Sequence, residues 1–82
     1  MICAYILKCK DGTYYVGSTD NLERRLKQHL NGWSKYTKNR LPVKLVFAKE
    51  FNILAEARKY EYFLKRQRNK DFYNKLISGA IV

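Results

Sequence analysis

Two short apolar runs joined by an Asp-Gly pair constrain the fold of this chain more than any other sequence feature. Residues 1–9 and 13–18 are rich in β-branched and aromatic side chains, and Asp11-Gly12 lies between them. Such a pair between two such runs is typical of a β-hairpin. The N-terminal part of the chain is therefore predicted to be two antiparallel strands.

The length of the hairpin turn decides whether Tyr5 and Tyr15 share a face. A two-residue loop puts them on opposite faces, because side chains alternate along a strand. A three-residue loop over 10–12, with Gly12 left-handed in a bulge, puts both on one face. A site that uses both tyrosines requires the bulged turn, since two strand tyrosines alone are more often packing residues.

The residues after the hairpin predict a helix. Leu22, Leu26 and Leu30 recur every four residues, as in the buried stripe of a helix. Asp20, with a glutamate three residues later, predicts the capped start, and Asn31 with the following glycine predicts the end.

The second half of the chain predicts a third strand and two more helices. Apolar and polar residues alternate over 43–51, Asn52 is a natural cap for the next helix, and a last short helix is expected from Asn69 to Ser78. The order is β-β-α-β-α-α. We therefore expect one small α/β domain of the α+β type over residues 1–82, with a three-stranded antiparallel sheet flanked by helices.

The charge of the chain indicates a polyanionic partner. Lys and Arg number 17 against seven Asp and Glu, a net charge of +10 with the histidine neutral. Nucleic acid is the usual partner of such a chain, because its phosphates release counterions when cations neutralise them. A solvated basic surface without a partner is the alternative, but basic and aromatic residues interleave along the chain, which favours nucleic acid.

The two cysteines and the N-terminal run bear on the compartment. Cys3 and Cys9 have neither metal-site nor redox spacing, and on one strand they lie too far apart to bridge. We expect reduced, half-buried core residues in a cytoplasmic protein. The apolar start lacks a basic leader and a cleavage site and is too short for a membrane span, so neither a signal peptide nor a membrane anchor is expected.

Three polar residues fall on helix faces that packing alone would leave apolar. Arg25 and His29 lie one turn apart beside the leucine stripe, whereas Arg24 points away. Glu61 falls within the apolar stripe of the second helix. An inward charge needs an opposite charge, a hydrogen bond or a metal ion. A buried Arg25–Glu61 salt bridge is one interpretation, and a phosphate site with a hard cation on Glu61 is the other.

The same residues occur in a recognisable pattern. The segment AYILKCKDGTYYVGSTDNLERRLKQHLNG resembles the GIY-YIG nuclease module, with Tyr5 matching the tyrosine of the first triplet and 15–17 matching the second. Segments 37–46 and 56–65 are similar to the small standalone members of that superfamily. The chain also resembles the N-terminal endonuclease domain of the excision-repair nuclease.

This resemblance implies a function and a set of site residues. It implies an endonuclease that hydrolyses a phosphodiester bond in one strand of nucleic acid, DNA more than RNA, with one divalent metal, Mg²⁺ or Mn²⁺. Branched, damaged or single-stranded DNA, in repair or recombination, would be its substrate. The implied active-site positions are Tyr5, Tyr15, Arg25, His29 and Glu61, with Glu61 as the metal ligand.

Two positions depart from the family pattern. The first triplet reads Cys3-Ala4-Tyr5 rather than Gly-Ile-Tyr, although the tyrosine is retained. Ser18-Thr19 stand where excision-repair relatives commonly carry a lysine. The missing cation bears on how the attacking water is activated.

Basic and aromatic residues elsewhere are candidate nucleic-acid contacts. A polar loop before Pro42 would offer rings for stacking and cations for the backbone, although Trp33 would equally cover the core beneath it. The basic end of the second helix is a phosphate contact or a solvated helix end. No base-reading element is evident, so nucleic-acid shape or a protein partner would supply specificity. The candidate contacts are Arg25, Trp33, Lys35, Tyr36, Lys38, Arg40, Lys65 and Arg66.

Two other functions stay open beside the nuclease. The first is a nucleic-acid-binding protein with weak or no catalysis, which holds DNA or RNA for another enzyme. The second is a structural or adaptor domain in which the inward charges serve packing alone.

Overall fold

The computed structural model describes residues 1–79, and the chain in it follows the predicted order of elements. The elements are β1 (Cys3–Lys8), β2 (Tyr14–Thr19), α1 (Leu22–Leu30), β3 (Lys44–Glu50), α2 (Leu54–Gln67) and α3 (Lys70–Ile77). The three strands form one antiparallel sheet in the order β2-β1-β3, so β1 is central and β2 is an edge strand. The predicted α+β fold is confirmed; residues 80–82 of the expected domain lie outside the described range.

The turn between β1 and β2 is the bulged form. The Cys9 amide donates to the Thr13 carbonyl at 2.8 Å, and the Gly12 amide donates to the Cys9 carbonyl at 3.0 Å. Gly12 has φ of 84°, a left-handed conformation that glycine adopts without strain. Tyr5 and Tyr15 therefore lie on one face, with ring centroids 6.2 Å apart.

The sheet is covered on both faces. Alternation along β1 sends Tyr5 towards α1, where it packs with Leu22 and Leu26, and sends Ile6 towards α2 and α3, where it packs with Leu64. Burial of an aliphatic side chain of this size contributes about 1.5–3 kcal/mol. The two clusters fix α1 on one face of the sheet and α2 and α3 on the other, and these positions define the site described below.

The cap of α1 and the burial of its last leucine differ from the prediction, whereas the helix ends at Leu30 with Asn31 as the C-cap, as predicted. Asn21, not Asp20, is the N-cap: its backbone is extended, and its side chain accepts from the Arg24 amide at 3.0 Å. Asp20, one residue too early to reach the free amides, forms an ion pair with the Arg24 guanidinium at 2.8 Å. Leu30, the last helical residue, is 53% exposed, and His29 takes the buried position instead.

The starts of α2 and α3 contrast. Asn52 does not cap α2, whose N-cap is Ile53, one residue later, without a side-chain cap bond. Asn69 caps α3 as predicted, because its side chain accepts from the amides two and three residues further on, those of Asp71 and Phe72. A favourable residue type therefore caps a helix only where its backbone lies directly before the first turn.

Both cysteines belong to the core. Cys3 and Cys9 are unpaired and buried, more deeply than expected for half-buried strand residues. Within residues 1–79, none of the helices has the length and apolar character needed to cross a bilayer.

Candidate active site

Four of the five predicted active-site residues lie together on the α1 side of the sheet. The fully buried His29 has its Nε2 3.0 Å from the Tyr5 hydroxyl oxygen. The Tyr15 ring meets the imidazole edge-to-face, with centroids 4.9 Å apart. Arg25, one turn earlier on α1, is half-buried beside the two phenols. The bulged turn and the 3.6-residue period of α1 bring these side chains together.

Thr37 holds the other side of the imidazole, a contact that was not predicted. Its hydroxyl oxygen lies 2.9 Å from His29 Nδ1, and its side chain is fully buried. A neutral imidazole has one donor and one acceptor nitrogen, so Tyr5 and Thr37 together satisfy both. Thr37 lies in the irregular loop between α1 and β3, where periodicity carries no signal.

Burial sets the protonation of both groups in this hydrogen-bonded chain. Burial, together with the neighbouring Arg25 cation, lowers the pKa of His29 to about 4, so the imidazole is neutral at neutral pH. Burial raises the pKa of Tyr5 to about 12, although the Arg25 guanidinium beside it acts in the opposite direction. The buried chain is therefore uncharged in the ligand-free protein.

Arg25 is not held by the carboxylate that the sequence suggested. Its Nη1 donates to Gln28 Oε1 at 2.9 Å. Between Arg25 and Glu61 there is no ion pair among residues 1–79. The Arg25–Glu61 packing pair is therefore not found, and the Arg25 guanidinium is left beside neutral partners.

Glu61 lies on the opposite side of the edge strand from the other four residues. Its Oε1 accepts from the Ser18 hydroxyl at 2.5 Å, and its Oε2 is 2.6 Å from Lys65 Nζ. The side chain is 21% exposed, and its hydrogen bond raises the pKa of Lys65. A strand hydroxyl and a helix cation thus satisfy the carboxylate that sequence reasoning placed in an apolar stripe.

Gly17 makes room for the tyrosines at the point where the two sides meet. It pairs with Tyr5 across β1 and β2 and directly precedes Ser18. A Cβ at this position would lie 2.6 Å from the Tyr5 hydroxyl oxygen and 3.1 Å from Tyr15 Cε2. Glycine inside a strand often marks such a close approach, a signal from which this constraint could have been predicted.

The donor set around Glu61 fits one kind of metal ion. Among residues 1–79, no three His, Cys, Asp or Glu side chains come together, which does not suit the three or four protein ligands of a zinc site. Mg²⁺ is commonly held by one or two carboxylates, with water and substrate oxygens completing its shell. A single, partly exposed carboxylate therefore fits Mg²⁺ or Mn²⁺, provided that the ion pair between Lys65 and Glu61 breaks.

The predicted nucleic-acid contacts are largely exposed. Trp33 is 71% exposed, which excludes its alternative role of covering the core. Arg40 is engaged within the protein: it donates to Asp11 at 3.2 Å and to the Tyr36 carbonyl at 2.6 Å. Their contact with nucleic acid stays a prediction, as it does for the exposed side chains of Lys35, Lys38, Lys65 and Arg66.

Comparisons with known proteins identify the family of this chain. A family model for the GIY-YIG catalytic domain matches residues 1–76. A UPF0213 protein of Bacillus licheniformis is 47% identical over 72 residues, 84% of this chain and 74% of the relative. The UPF0213 protein YazA of Bacillus subtilis is 43% identical over 72 residues, 84% of this chain and 73% of the relative.

A solved structure shows the same likeness. The solution NMR structure of a UPF0213 protein from Bacillus halodurans has 38% sequence identity and a TM-score of 0.59, and the match covers 94% of this chain and 82% of that one. The family match, the relatives and the fold lead to one conclusion: the chain belongs to the GIY-YIG family.

Proposed function

We propose that this protein is a divalent-metal-dependent endonuclease that hydrolyses a phosphodiester bond in one strand of DNA. Branched, damaged or single-stranded DNA would be its substrate, in repair or recombination, and the cytoplasm its compartment. The observation that carries the proposal is the arrangement around β2. The buried Tyr5–His29–Thr37 chain lies beside Arg25 on one side of the strand, and Glu61 lies on the other.

Arg25 is the group best placed to bind the scissile phosphate. A guanidinium makes forked, charge-assisted hydrogen bonds to phosphate oxygens. Its present partners, the Gln28 amide oxygen and two phenols, carry no negative charge. Phosphate would therefore replace weak partners with strong ones, and the net charge of +10 would attract DNA to the site.

Glu61 would hold the metal ion, with the Ser18 hydroxyl fixing the orientation of the carboxylate. When bound, the metal supplies positive charge to the phosphate oxygens and to the leaving oxygen. Lys65 would release Glu61 and keep its cation beside the phosphate. The Lys65 ammonium, on α2, would take the role of the lysine that excision-repair relatives commonly carry where Ser18-Thr19 stand in β2.

Tyr5 would take the proton of the attacking water. The water oxygen bonds to phosphorus while the bond from phosphorus to the leaving sugar oxygen breaks. The leaving oxygen takes a proton from solvent, so the products are a phosphate monoester and a free hydroxyl. With its pKa at about 12, Tyr5 is rarely a phenolate. The neutral His29, 3.0 Å away, would accept the phenol proton at Nε2 when its Nδ1 donates to Thr37. Tyr15 would hold the imidazole plane by its edge-to-face contact.

Cleavage assays with matched variants test the proposal. Supercoiled, single-stranded and branched DNA would be incubated with Mg²⁺ or Mn²⁺, and binding would be measured in parallel. Arg25→Ala and Glu61→Gln are expected to lower cleavage about 100-fold or more while binding persists. Arg24→Ala and Glu56→Gln, on exposed positions of the same helices, should cut like the wild type.

Either of two results would refute the nuclease. One is a Glu61→Gln variant that cuts as well as the wild type. The other is a folded wild-type protein that binds DNA but cuts none of the three substrates with either metal.

The second candidate function is nucleic-acid binding without catalysis. It is favoured by the protonated Tyr5 and by the Lys65 ammonium that occupies Glu61. It predicts that the logarithm of the binding constant for nucleic acid falls linearly with the logarithm of the salt concentration. It also predicts no cleavage with any metal.

A further inference from the structure

A cavity lined by tyrosine rings and cations lies next to the candidate active site. Its volume is about 240 Å³, below the roughly 300–1,000 Å³ of pockets for drug-sized ligands. No acidic side chain lines it. It borders Tyr15, and its other principal walls are Tyr14, Tyr36, Tyr73, Lys65 and Arg68. The lining suits a small, flat, aromatic ligand that carries negative charge.

The deeper rings offer their surfaces rather than their hydroxyls. The Tyr14 hydroxyl donates to Asn74 Oδ1 at 2.5 Å, and the Tyr73 hydroxyl donates to the Leu64 carbonyl at 2.7 Å. The two rings meet edge-to-face, with centroids 5.7 Å apart. A ligand there would gain ring contacts but few hydrogen bonds, so the cavity would discriminate little between one base and another.

Tyr36 forms a fixed rim on the other side of the cavity. The residue is 39% exposed, and its ring lies 5.4 Å from the Tyr15 ring, centroid to centroid. The Arg40 guanidinium lies over the ring, 4.3 Å from its centroid, and is itself tied to Asp11. The loop after α1 thus presents a pre-positioned ring, which limits the ordering cost of stacking.

Arg68 reaches the cavity from a backbone conformation that arginine seldom adopts. It follows the last residue of α2 with φ of 46° and ψ of 35°, the sole non-glycine residue with positive φ among residues 1–79. Glycine is the usual residue at such a helix end, and a non-glycine residue held in this conformation costs about 1–3 kcal/mol of backbone strain. Its cation has no ion-pair partner in the described part of the chain.

We propose that this cavity is the subsite for an unpaired nucleotide adjoining the phosphate that is cut. The base would stack among the tyrosine rings, and its phosphate would meet Lys65 and Arg68. A paired base cannot enter without leaving its duplex, so the subsite selects single-stranded or extruded nucleotides. This inference rests on nucleic acid being the ligand of the proposed function, and it narrows the substrate to a strand with an unpaired base at the cut.

The surface beyond the cavity gives the strand a path. A neighbouring groove of about 480 Å³ shares Lys65 and Arg68 with it and continues to Tyr62 and Arg66. Tyr62 is 65% exposed, and the Arg66 guanidinium lies 5.6 Å from its ring centroid. Alternating cations and rings of this kind suit a single-stranded backbone with splayed bases.

Binding without cleavage tests the subsite. Metal is removed with EDTA, and fluorescence anisotropy measures binding to a short single-stranded oligothymidylate, an abasic strand of equal length and charge, and a DNA duplex. Tyr36→Ala should weaken oligothymidylate binding about 5- to 150-fold and leave the abasic strand and the duplex unchanged. Tyr36→Phe, which keeps the ring, should bind like the wild type. An equal loss on the abasic strand, or no loss on oligothymidylate, would overturn the proposal.

Arg68→Gly separates ligand binding from folding. Glycine adopts positive φ without strain, so this variant should melt at the wild-type temperature or above it, yet bind oligothymidylate about 5-fold or more weakly. Arg58→Ala removes the same charge from an exposed position outside the cavity and should weaken binding much less. Equal affinities of the two variants would count against an Arg68 contact and refute the subsite as proposed.

The two proposals fail in different ways. If the wild-type protein never cleaves DNA but Tyr36→Ala lowers its affinity for oligothymidylate, the subsite is supported and the nuclease is refuted. If cleavage depends on Glu61 but Tyr36→Ala binds oligothymidylate as tightly as the wild type, the nuclease is supported and the subsite is refuted.

Discussion

The two sides of strand β2 hold their polar groups in different ways. On the α1 side, Tyr5, His29 and Thr37 are at most 1% exposed and satisfy one another by hydrogen bonds. On the α2 side, Glu61 and Lys65 are 21% and 54% exposed and form an ion pair. Disrupting a buried hydrogen bond costs about 1–3 kcal/mol, whereas an exposed ion pair contributes about 1 kcal/mol or less. The Tyr5–His29–Thr37 chain on the α1 side is therefore held more firmly than the Glu61–Lys65 pair on the α2 side, and the proposed function requires that pair to exchange partners with a substrate and a metal ion.

The largest expected effect comes from Gly17→Ala, a substitution in β2 between the residues of the α1 side and those of the α2 side. The added Cβ would lie 2.6 Å from the hydroxyl oxygen of the buried Tyr5, so Tyr5 has to move and its bond to His29 is strained. We expect a loss of about 1–3 kcal/mol in the free energy of unfolding. Cleavage should fall about 100-fold or more, because small misplacements of reacting groups have effects of that size. Denaturant unfolding and the plasmid-nicking assay measure both.

A second substitution shows whether the Gly17→Ala effect acts through Tyr5. Tyr5→Leu removes both atoms that the new methyl group meets first, the hydroxyl oxygen at 2.6 Å and Cζ at 2.7 Å. The two losses of stability should therefore be less than additive in the double variant, and cleavage should not return. Strictly additive losses of stability would contradict direct contact between these two positions.

An effect on stability is also expected from pH, and it belongs to the α1 side alone. The pKa of His29 is about 4 in the folded protein against an ordinary value of about 6.5, because burial and Arg25 disfavour the imidazolium. Between about pH 4 and 6.5, His29 therefore binds a proton in the unfolded chain but not in the folded chain. The contribution of His29 to the free energy of unfolding is fully present above pH 6.5. It is lost as pH falls towards 4, by up to about 1.4 kcal/mol per pH unit.

His29→Gln isolates this contribution from the carboxylates that titrate over the same range. The difference in unfolding free energy between wild type and His29→Gln, measured from pH 7 to pH 4, should shrink as pH falls. A difference that stays constant over this range would show that His29 is not held neutral by the fold.

The fold and the α1 side follow from local patterns in the sequence. The Asp-Gly pair with its bulged register places Tyr5 and Tyr15 on one face, and helical period places His29 inward. These features depend on a few neighbouring residues, so periodicity predicts the inward His29 and the Asp-Gly pair predicts the hairpin. The sequence left the turn open between a two-residue and a three-residue loop, and the structure decides for the three-residue loop. The cap of α1 at Asn21 rather than Asp20 shows the limit, since two adjacent residues were equally able to cap and only backbone geometry separated them.

The partners of Glu61 could not be predicted in this way. Both Arg25 and Glu61 fall on inner helix faces, which suggested a pair, but α1 and α2 pack on opposite faces of the sheet. The carboxylate therefore meets Ser18 and Lys65 instead. The side of a sheet on which a helix packs is a property of the whole topology, and no local periodicity records it.

The smallest expected effect tests the exchangeable character of the α2 side. Lys65→Met keeps the aliphatic stem but removes the ammonium from Glu61, so the free energy of unfolding should change by less than about 1 kcal/mol. Mn²⁺ binding without DNA, followed by electron paramagnetic resonance, should become about 1.5- to 5-fold tighter, because a competitor for the carboxylate is gone. Affinity for DNA should fall, because a phosphate contact is lost. Lys59→Met, an exposed lysine of the same helix without an ion pair in residues 1–79, controls for net charge. If both variants bind Mn²⁺ like the wild type, Lys65 does not occupy the metal position, and the contrast between a fixed and an exchangeable side of β2 does not hold.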